Sequence, residues 1–416
     1  MLKRLFSRPF SRNLSLPSAQ SQQRQLWSLI LVFTGLGFYV GVWAVLIADL
    51  ANSLHLTTAQ LGIALACFPC AGIVVLLFGG FITDHLTRRL MLLLGIGGLS
   101  LLFIALALVS QYTLLLLVLL FGGACGSCYD LAINTVGGDY ERRYASKSMT
   151  IFHGGFSGGA ALGAFSSAVA LANGVGFRSI YTTAALLFLL LAIATLFFPL
   201  PTNAVSASSE DAQAVAVEKR PTSAFALLAL PVVLLATLIV SFAFFTDGAL
   251  EGYISIYLRD MLGSGALLGG IGIAAFYLIG MFGKVGSTVF LRRYGERPVV
   301  TVCALLSAVG MLIALSTTSA PLAVLGLLLV GLGQAPLVPT AFSLASRVEA
   351  HQGARAIAIV TAFGYSIFLV GPPIIGALAA LSSLRVALLL TIAASIGIII
   401  VAQRLLGGRR LHEPFI

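Results

Sequence analysis

The sequence predicts an all-α, polytopic membrane protein with twelve transmembrane helices in two pseudo-symmetric six-helix bundles. Three observations lead there. Hydrophobic residues make up 59% of the 416 positions and charged ones only 9%, against about a quarter charged in ordinary soluble domains. The chain holds a dozen apolar segments of about 20 residues, the length that spans a bilayer core as a helix. Two stretches about half a chain apart also resemble each other: Gly80-Phe81-Ile82-Thr83-Asp84-His85-Leu86-Thr87-Arg88-Arg89, and Gly283-Lys284-Val285-Gly286 through Leu291-Arg292-Arg293-Tyr294-Gly295-Glu296-Arg297. Each closes an apolar run with a short basic turn, as expected of a protein built from two similar membrane-embedded halves.

The expected spans are 27–50, 59–83, 90–110, 112–137, 149–173 and 178–198 in the first half. In the second half they are 226–258, 264–291, 297–318, 320–345, 355–380 and 383–403. Short connections make sequential helices antiparallel neighbours. Residues 199–225 differ: Pro199-Leu200-Pro201 opens an Ala/Ser-rich stretch with Glu210, Asp211 and Glu218, and Pro221 closes it. This composition predicts a flexible linker. The chain then divides into a tail (1–26), a first bundle (27–198), the linker (199–225), a second bundle (226–403) and a C-terminal tail (404–416).

The net charge of +10 raises the question of nucleic acid, but its distribution answers it. Of 24 Lys and Arg residues, 20 fall in the tails, the linker and the connections on one side; Arg178, Arg259 and Arg385 fall on the other, and Lys284 lies within a span. The positive-inside rule puts both termini in the cytoplasm, with anionic headgroups as the nearest partners of this charge. The Arg- and Ser-rich N-terminal tail also fits an organellar transit peptide; no cleavable signal peptide is evident. No Gly-x-x-x-x-Gly-Lys-Ser/Thr loop suggests ATP as fuel. No nucleophile-base constellation stands out in the loops, so an enzyme is not expected, nor is a cofactor.

Glycine clusters within helices, at Gly154, Gly155, Gly158, Gly159 and Gly163 and at Gly269, Gly270, Gly272, Gly280, Gly283 and Gly286. Small residues at this spacing let helices approach closely in lipid; they suit either gating seams or static packing.

The loop after the second span, with Gly80, Asp84, Arg88 and Arg89, matches the signature of the major facilitator superfamily, and the chain resembles that family over essentially its whole length. His85 stands where a basic residue is usual and Thr87 where Gly is usual. The resemblance implies that the two basic loops, with Gly80, Asp84, Arg88 and Arg89 and with Gly283, Lys284, Arg292 and Arg293, gate the cytoplasmic side. Asp84 would sit near a helix N-terminus and the arginines near carbonyl ends. Finer features resemble the fucose permease-like branch and its YbjJ-like bacterial inner membrane relatives. These are Asp130 and Asn134 with Glu141-Arg142-Arg143; Phe152-His153 with Gly158 and Gly159; Asp247-Gly248-Ala249 with Tyr253 and Tyr257; and Pro339, Phe342-Ser343, Gly364-Tyr365 and Gly371-Pro372-Pro373.

Charges within the bilayer are costly and mark candidate sites. Asp130 sits among Gly, Ala, Leu and Cys in the fourth span, a setting suited to proton exchange, and the resemblance implies a coupling role there. The alternative is a carboxyl satisfied by Asn134 and His153. Asp247 and Glu251 are spaced i,i+4 and share a helix face, which suits a proton site, a cation site or a wet vestibule wall. His153 either relays a proton with Asp130 or packs between helices. Lys284 is expected to snorkel toward the cytoplasmic loop. Tyr39, Trp43, Tyr253 and Tyr257 could offer stacking faces to a substrate, or belong to the interfacial belt and the core.

Cys67-Phe68-Pro69-Cys70 and Cys125-Gly126-Ser127-Cys128 invite a soft-metal reading, but thiolates form poorly in hydrocarbon and buried cysteine usually packs as a small apolar group. No metal site is expected. The expectation is a monomeric secondary transporter, a symporter of the bacterial inner (plasma) membrane. It would move a small polar, sugar-like solute by alternating access, coupled to protons through Asp130. Two alternatives remain: a proton-driven exporter of drugs or a small secreted metabolite, and a transporter-like sensor or metal-binding membrane protein. The Gly-Pro element of drug antiporters is missing from the fifth helix, which weighs against the exporter.

Overall fold

A computed structural model describes residues 19–144, 148–201, 224–348 and 353–405. Twelve helices are long and apolar enough to cross a membrane, and no strand occurs among the described residues. In the first half the helical segments are Ala19–Ser53, Thr58–Leu77, Arg88–Leu108, Tyr112–Tyr144, Met149–Ala172 and Phe177–Thr195. In the second they are Pro231–Ile256, Ala266–Tyr294, Glu296–Ser316, Ala320–Gln334 with Leu337–Ala345, Gly353–Leu381 and Leu384–Leu405. They are called the first to twelfth spans below. Ala19 and Leu405 lie at one end of the bundle, here the terminal end; Ser53 and Ile256 lie at the far end.

The first helix starts at Ala19, ahead of the apolar boundary at residue 27. Its polar Gln-rich opening carries no hydrophobic signal, but Gln25 is buried and its Oε1 accepts from Tyr144 Oη at 3.1 Å. The fourth span likewise runs on to Tyr144, because Tyr140 is buried against Phe152 and Asp139 is held by Arg88. The second span breaks at Phe78 and resumes as a short helix, Gly79–His85. The tenth breaks at Ala335-Pro336, where proline lacks the N–H that would continue the ladder. The seventh ends in one wide turn over Tyr257–Met261, closed by Leu262 N–H donating to the Tyr257 carbonyl at 3.2 Å. The expected linker falls mostly on residues 202–223, outside the described residues, as do most of the two tails.

Glycine decides how closely helices approach. A Cβ on Gly37 or Gly41 would strike the backbone of Phe156 or Ala160, and one on Gly159 or Gly163 the backbone of Thr34 or Phe38. The first and fifth spans therefore pack backbone to backbone. Gly310 and Gly326 do the same for the ninth and tenth. The two halves meet where the second span packs on the eleventh and the fifth on the eighth. Gly158 lies there opposite Met281, and Gly270 opposite Ala168. The glycine clusters thus serve both static packing and the seam between halves.

Candidate functional site

Asp130 lies midway along the fourth span, and the helical repeat brings Asn134 one turn away. Asn134 Nδ2 donates to Asp130 Oδ1 at 2.8 Å and to the Asp130 carbonyl at 2.9 Å. From the other half, Tyr365 Oη donates to Asp130 Oδ2 at 3.3 Å, its ring set edge-on against Phe244 at 5.6 Å. The carboxyl is thus a junction between the halves. Tyr365 was legible in the sequence only as part of a motif beside Gly364; nothing in the eleventh span alone marks it as a partner of Asp130.

Asp247 and Glu251 share one face of the seventh span, as their spacing requires. Glu251 accepts a hydrogen bond from Tyr277 Oη of the eighth span. A narrow pocket opens beside this pair, lined by Leu250, Ile254, Ile273 and Phe276. Asp247 makes no hydrogen bond among the described residues and interacts electrostatically with Lys284.

Lys284 does not turn toward the loop as a snorkelling lysine would. Its Nζ donates to Ser157 Oγ of the fifth span at 3.0 Å, crossing between the halves, and its charge is felt by Asp247 and His153. The expectation failed because the residue sits nearly three helical turns short of the end of its helix at Tyr294, with the Ser157 hydroxyl within reach. His153 stands one turn from Ser157, its ring edge-on to Phe33 at 5.4 Å. Its side chain is exposed. It makes no hydrogen bond to Asp130 among the described residues, so the expected relay has no direct link here.

The proposed stacking residues are packed away. Tyr39 is 4% exposed and stacks on Phe68 at 5.8 Å, and Trp43 is 8% exposed. Tyr253 and Tyr257 are fully buried; Tyr253 Oη donates to the Pro372 carbonyl at 2.9 Å and Tyr257 Oη to the Ala314 carbonyl at 3.1 Å. The aromatic faces expected to meet a solute are occupied by protein.

At the far end the halves are tied together. Arg259 Nη1 and Nη2 reach Asp49 Oδ2 and Oδ1 at 2.6 and 2.8 Å, a fork-to-fork pair. Ser255 Oγ donates to the Val45 carbonyl at 3.2 Å, and the Thr58 carbonyl lies 3.4 Å from the Tyr253 hydroxyl that donates to Pro372. Asp49 and Arg259 are 210 residues apart, and no local pattern pairs them.

At the terminal end, Arg88 Nε donates to Asp139 Oδ2 at 3.2 Å and its Nη1 to the Thr83 carbonyl at 2.9 Å; Arg142 joins the same carboxylate. Arg89 holds the Leu196 and Phe198 carbonyls at 2.7 and 2.9 Å, at the end of the sixth span. Gly80 and Asp84 lie on the short helix Gly79–His85. In the second loop Gly283 packs against Ala335 of the tenth span, and Arg292 and Arg293 close the eighth helix, Arg293 over the Tyr294 ring at 5.4 Å. Arg297 Nε donates to Gln403 Oε1 at 3.1 Å.

The cysteines do not assemble a site. Cys125 packs toward Gly98 and Cys128 Sγ toward the Met91 carbonyl at 3.7 Å, both on the third span, while Cys67 Sγ turns to its own Ile63 carbonyl. No group of three or more metal-ligating side chains occurs among the described residues.

Comparison with known proteins places this architecture. The profile of the Major Facilitator Superfamily matches residues 27–347 and 274–414. An uncharacterised MFS-type transporter of Yersinia pestis is 28% identical over 372 residues, covering 88% of this chain and 93% of its own. The membrane protein MosC of Rhizobium meliloti is 28% identical over 365 residues, covering 88% and 85%. Among solved structures, a bacterial homologue of the human lysosomal transporter Spinster, inward-facing and occupied, superposes with a TM-score of 0.72 at 14% identity over 92% of this chain and 97% of its own. The nucleoside transporter NupG superposes with a TM-score of 0.72 at 14% identity over 92% and 100%. These structures share the fold, and the profile spans both six-helix halves. The chain is a multi-pass membrane protein that belongs to the major facilitator superfamily, a family of transporters and not of enzymes.

Proposed function

We propose that this protein is a proton-coupled secondary transporter that carries a small polar solute of sugar-like size by alternating access. The observation that carries the reading is Asp130: an acidic residue within a membrane span, hydrogen-bonded to Asn134 on its own helix and to Tyr365 of the other half. A proton arriving at or leaving that carboxyl alters a contact on which both halves depend, the kind of link that couples ion binding to rocking of one bundle against the other. Asp247, Glu251, Lys284 and His153 supply polar groups to the same interior. The basic loops that hold Arg88, Arg89, Arg292 and Arg293 lie in the cytoplasm by the positive-inside rule and act as the gate there. The Asp49–Arg259 pair then belongs to the outer side, closed in this state. The membrane is the bacterial inner membrane, in keeping with bacterial relatives, and the working unit is the monomer.

The test is uptake into proteoliposomes under an imposed proton gradient, with counterflow measured in parallel. Accumulation that collapses with the gradient in wild type, and an Asp130→Asn variant that exchanges solute but no longer accumulates it, support the proposal. Gradient-driven accumulation by Asp130→Asn at the wild-type level removes Asp130 from coupling. The absence of any solute movement refutes transport.

A further inference from the structure

The reading above leaves the chemical class of the solute open, and the charges between the halves narrow it. Three carboxyls and one ammonium line this interior. Two of the carboxyls already have partners: Asp130 takes hydrogen bonds from Asn134 and Tyr365, and Glu251 from Tyr277. The other two groups are unfinished. Asp247 has no hydrogen-bond donor among the described residues. The Lys284 ammonium has three donors and one acceptor, Ser157 Oγ at 3.0 Å. The two charges sit on neighbouring helices, within each other's field, with no ion-pair contact between them. Both side chains are partly accessible.

An unpaired charge within a membrane protein is expensive, so each of these groups gains from an opposite charge brought to it. A neutral sugar offers hydroxyls and leaves both charges uncompensated. A simple anion would satisfy Lys284 but meet Asp247, and a simple cation would do the reverse. A small molecule carrying both charges satisfies both and adds no net charge to the membrane interior.

Resting on the transporter reading, we infer that the site between the fifth, seventh and eighth spans takes a zwitterionic solute of the amino-acid type. Its carboxylate meets Lys284, whose ammonium the buried Ser157 hydroxyl holds in place, and its ammonium meets Asp247. His153, one turn from Ser157 on the accessible face of the fifth span, adds a further polar contact at the carboxylate end. Neither Lys284 nor Asp247 is used by the Asp130 junction, so recognition and coupling fall on separate groups.

The test uses the full chain in proteoliposomes, with thermal shift and counterflow as readouts. The probes are the twenty common amino acids, and for each hit the matching acid without its amine and amine without its acid; fucose and glucose serve as neutral sugars. The expected result is stabilisation and counterflow by one or more amino acids, with apparent affinity at least tenfold weaker for either half-molecule. Lys284→Met and Asp247→Asn should each weaken the amino acid at least tenfold. Stabilisation or counterflow by a neutral sugar or a half-molecule at or above the level of every amino acid overturns the inference and leaves the transporter reading standing. No counterflow by any probe overturns both. The Asp247→Asn/Lys284→Met double variant guards against a folding artefact. If it regains wild-type affinity for a solute that the single variants lose, the two residues serve only each other and the inference fails.

Discussion

Arg88 and Glu296 open corresponding helices in the two halves, the third and ninth spans, and form ion pairs of reversed polarity. Arg88 bonds Asp139 in the last turns of the fourth span; Glu296 bonds Arg347 just past the tenth. Their neighbours correspond as well. Arg89 grips carbonyls at the end of the sixth span, and Arg297 grips Gln403 near the end of the twelfth. A helix N-terminus favours the acidic residue and opposes the basic one. Glu296 is therefore placed with its helix dipole, whereas Arg88 depends on Asp139, and Thr87 caps the helix by accepting from Leu90 N–H at 3.2 Å.

Replacing Arg88 by Gln should destabilise the protein more than replacing Glu296 by Gln. Asp139 is 5% exposed and would keep only Arg142 as a partner among the described residues, and the loss of a charged hydrogen bond to a buried group costs about 1–3 kcal/mol. Thermal unfolding in detergent checks this, and an Arg88→Asp/Asp139→Arg exchange should recover part of the loss. A larger shift from the Glu296 variant would contradict the dipole argument.

The Asp49–Arg259 pair predicts a measurable bias in the far-end opening. Asp49→Asn removes a forked pair whose side chains are 18% and 16% exposed. Spin labels at Leu54 and Leu262, in a background lacking the five native cysteines, should report a longer and broader distance distribution in the variant. Unchanged distributions would make the pair a passive contact.

Tyr365→Phe should act on the Asp130 junction while sparing the fold. The variant removes the only hydrogen bond between the eleventh span and that carboxyl among the described residues, at 3.3 Å. Gradient-driven uptake should fall by up to about tenfold, the value of one such bond, while counterflow without a gradient falls less. Equal losses in both assays would assign Tyr365 to packing.

Two glycines of the fifth span should respond oppositely to alanine. A Cβ on Gly154 meets nothing within 4 Å, so Gly154→Ala should be neutral or mildly stabilising. A Cβ on Gly159 strikes the Thr34 backbone, so Gly159→Ala must push the first span away and should lower the melting temperature by several degrees or block folding. Fluorescence-detected size-exclusion after heating separates the two.

What the chain determines locally was readable from it. The run lengths of apolar residues specified the twelve spans, and the 3.6-residue repeat put Asn134 beside Asp130 and Glu251 beside Asp247. The first basic loop pointed to the superfamily. Local composition also missed helix ends where polar residues are held by distant partners, as Gln25 is by Tyr144. The rest was settled by helix rotation and crossing. In a membrane both the lipid face and the packed face of a helix are apolar, so hydrophobic pattern does not reveal which side of the eighth span carries Lys284 inward to Ser157, or that Tyr253 is buried with its hydroxyl on the Pro372 carbonyl. Only tertiary structure could join Asp49 to Arg259 and Asp130 to Tyr365, because the energy of those contacts depends on where two separate bundles meet, and no spacing along the chain encodes that meeting.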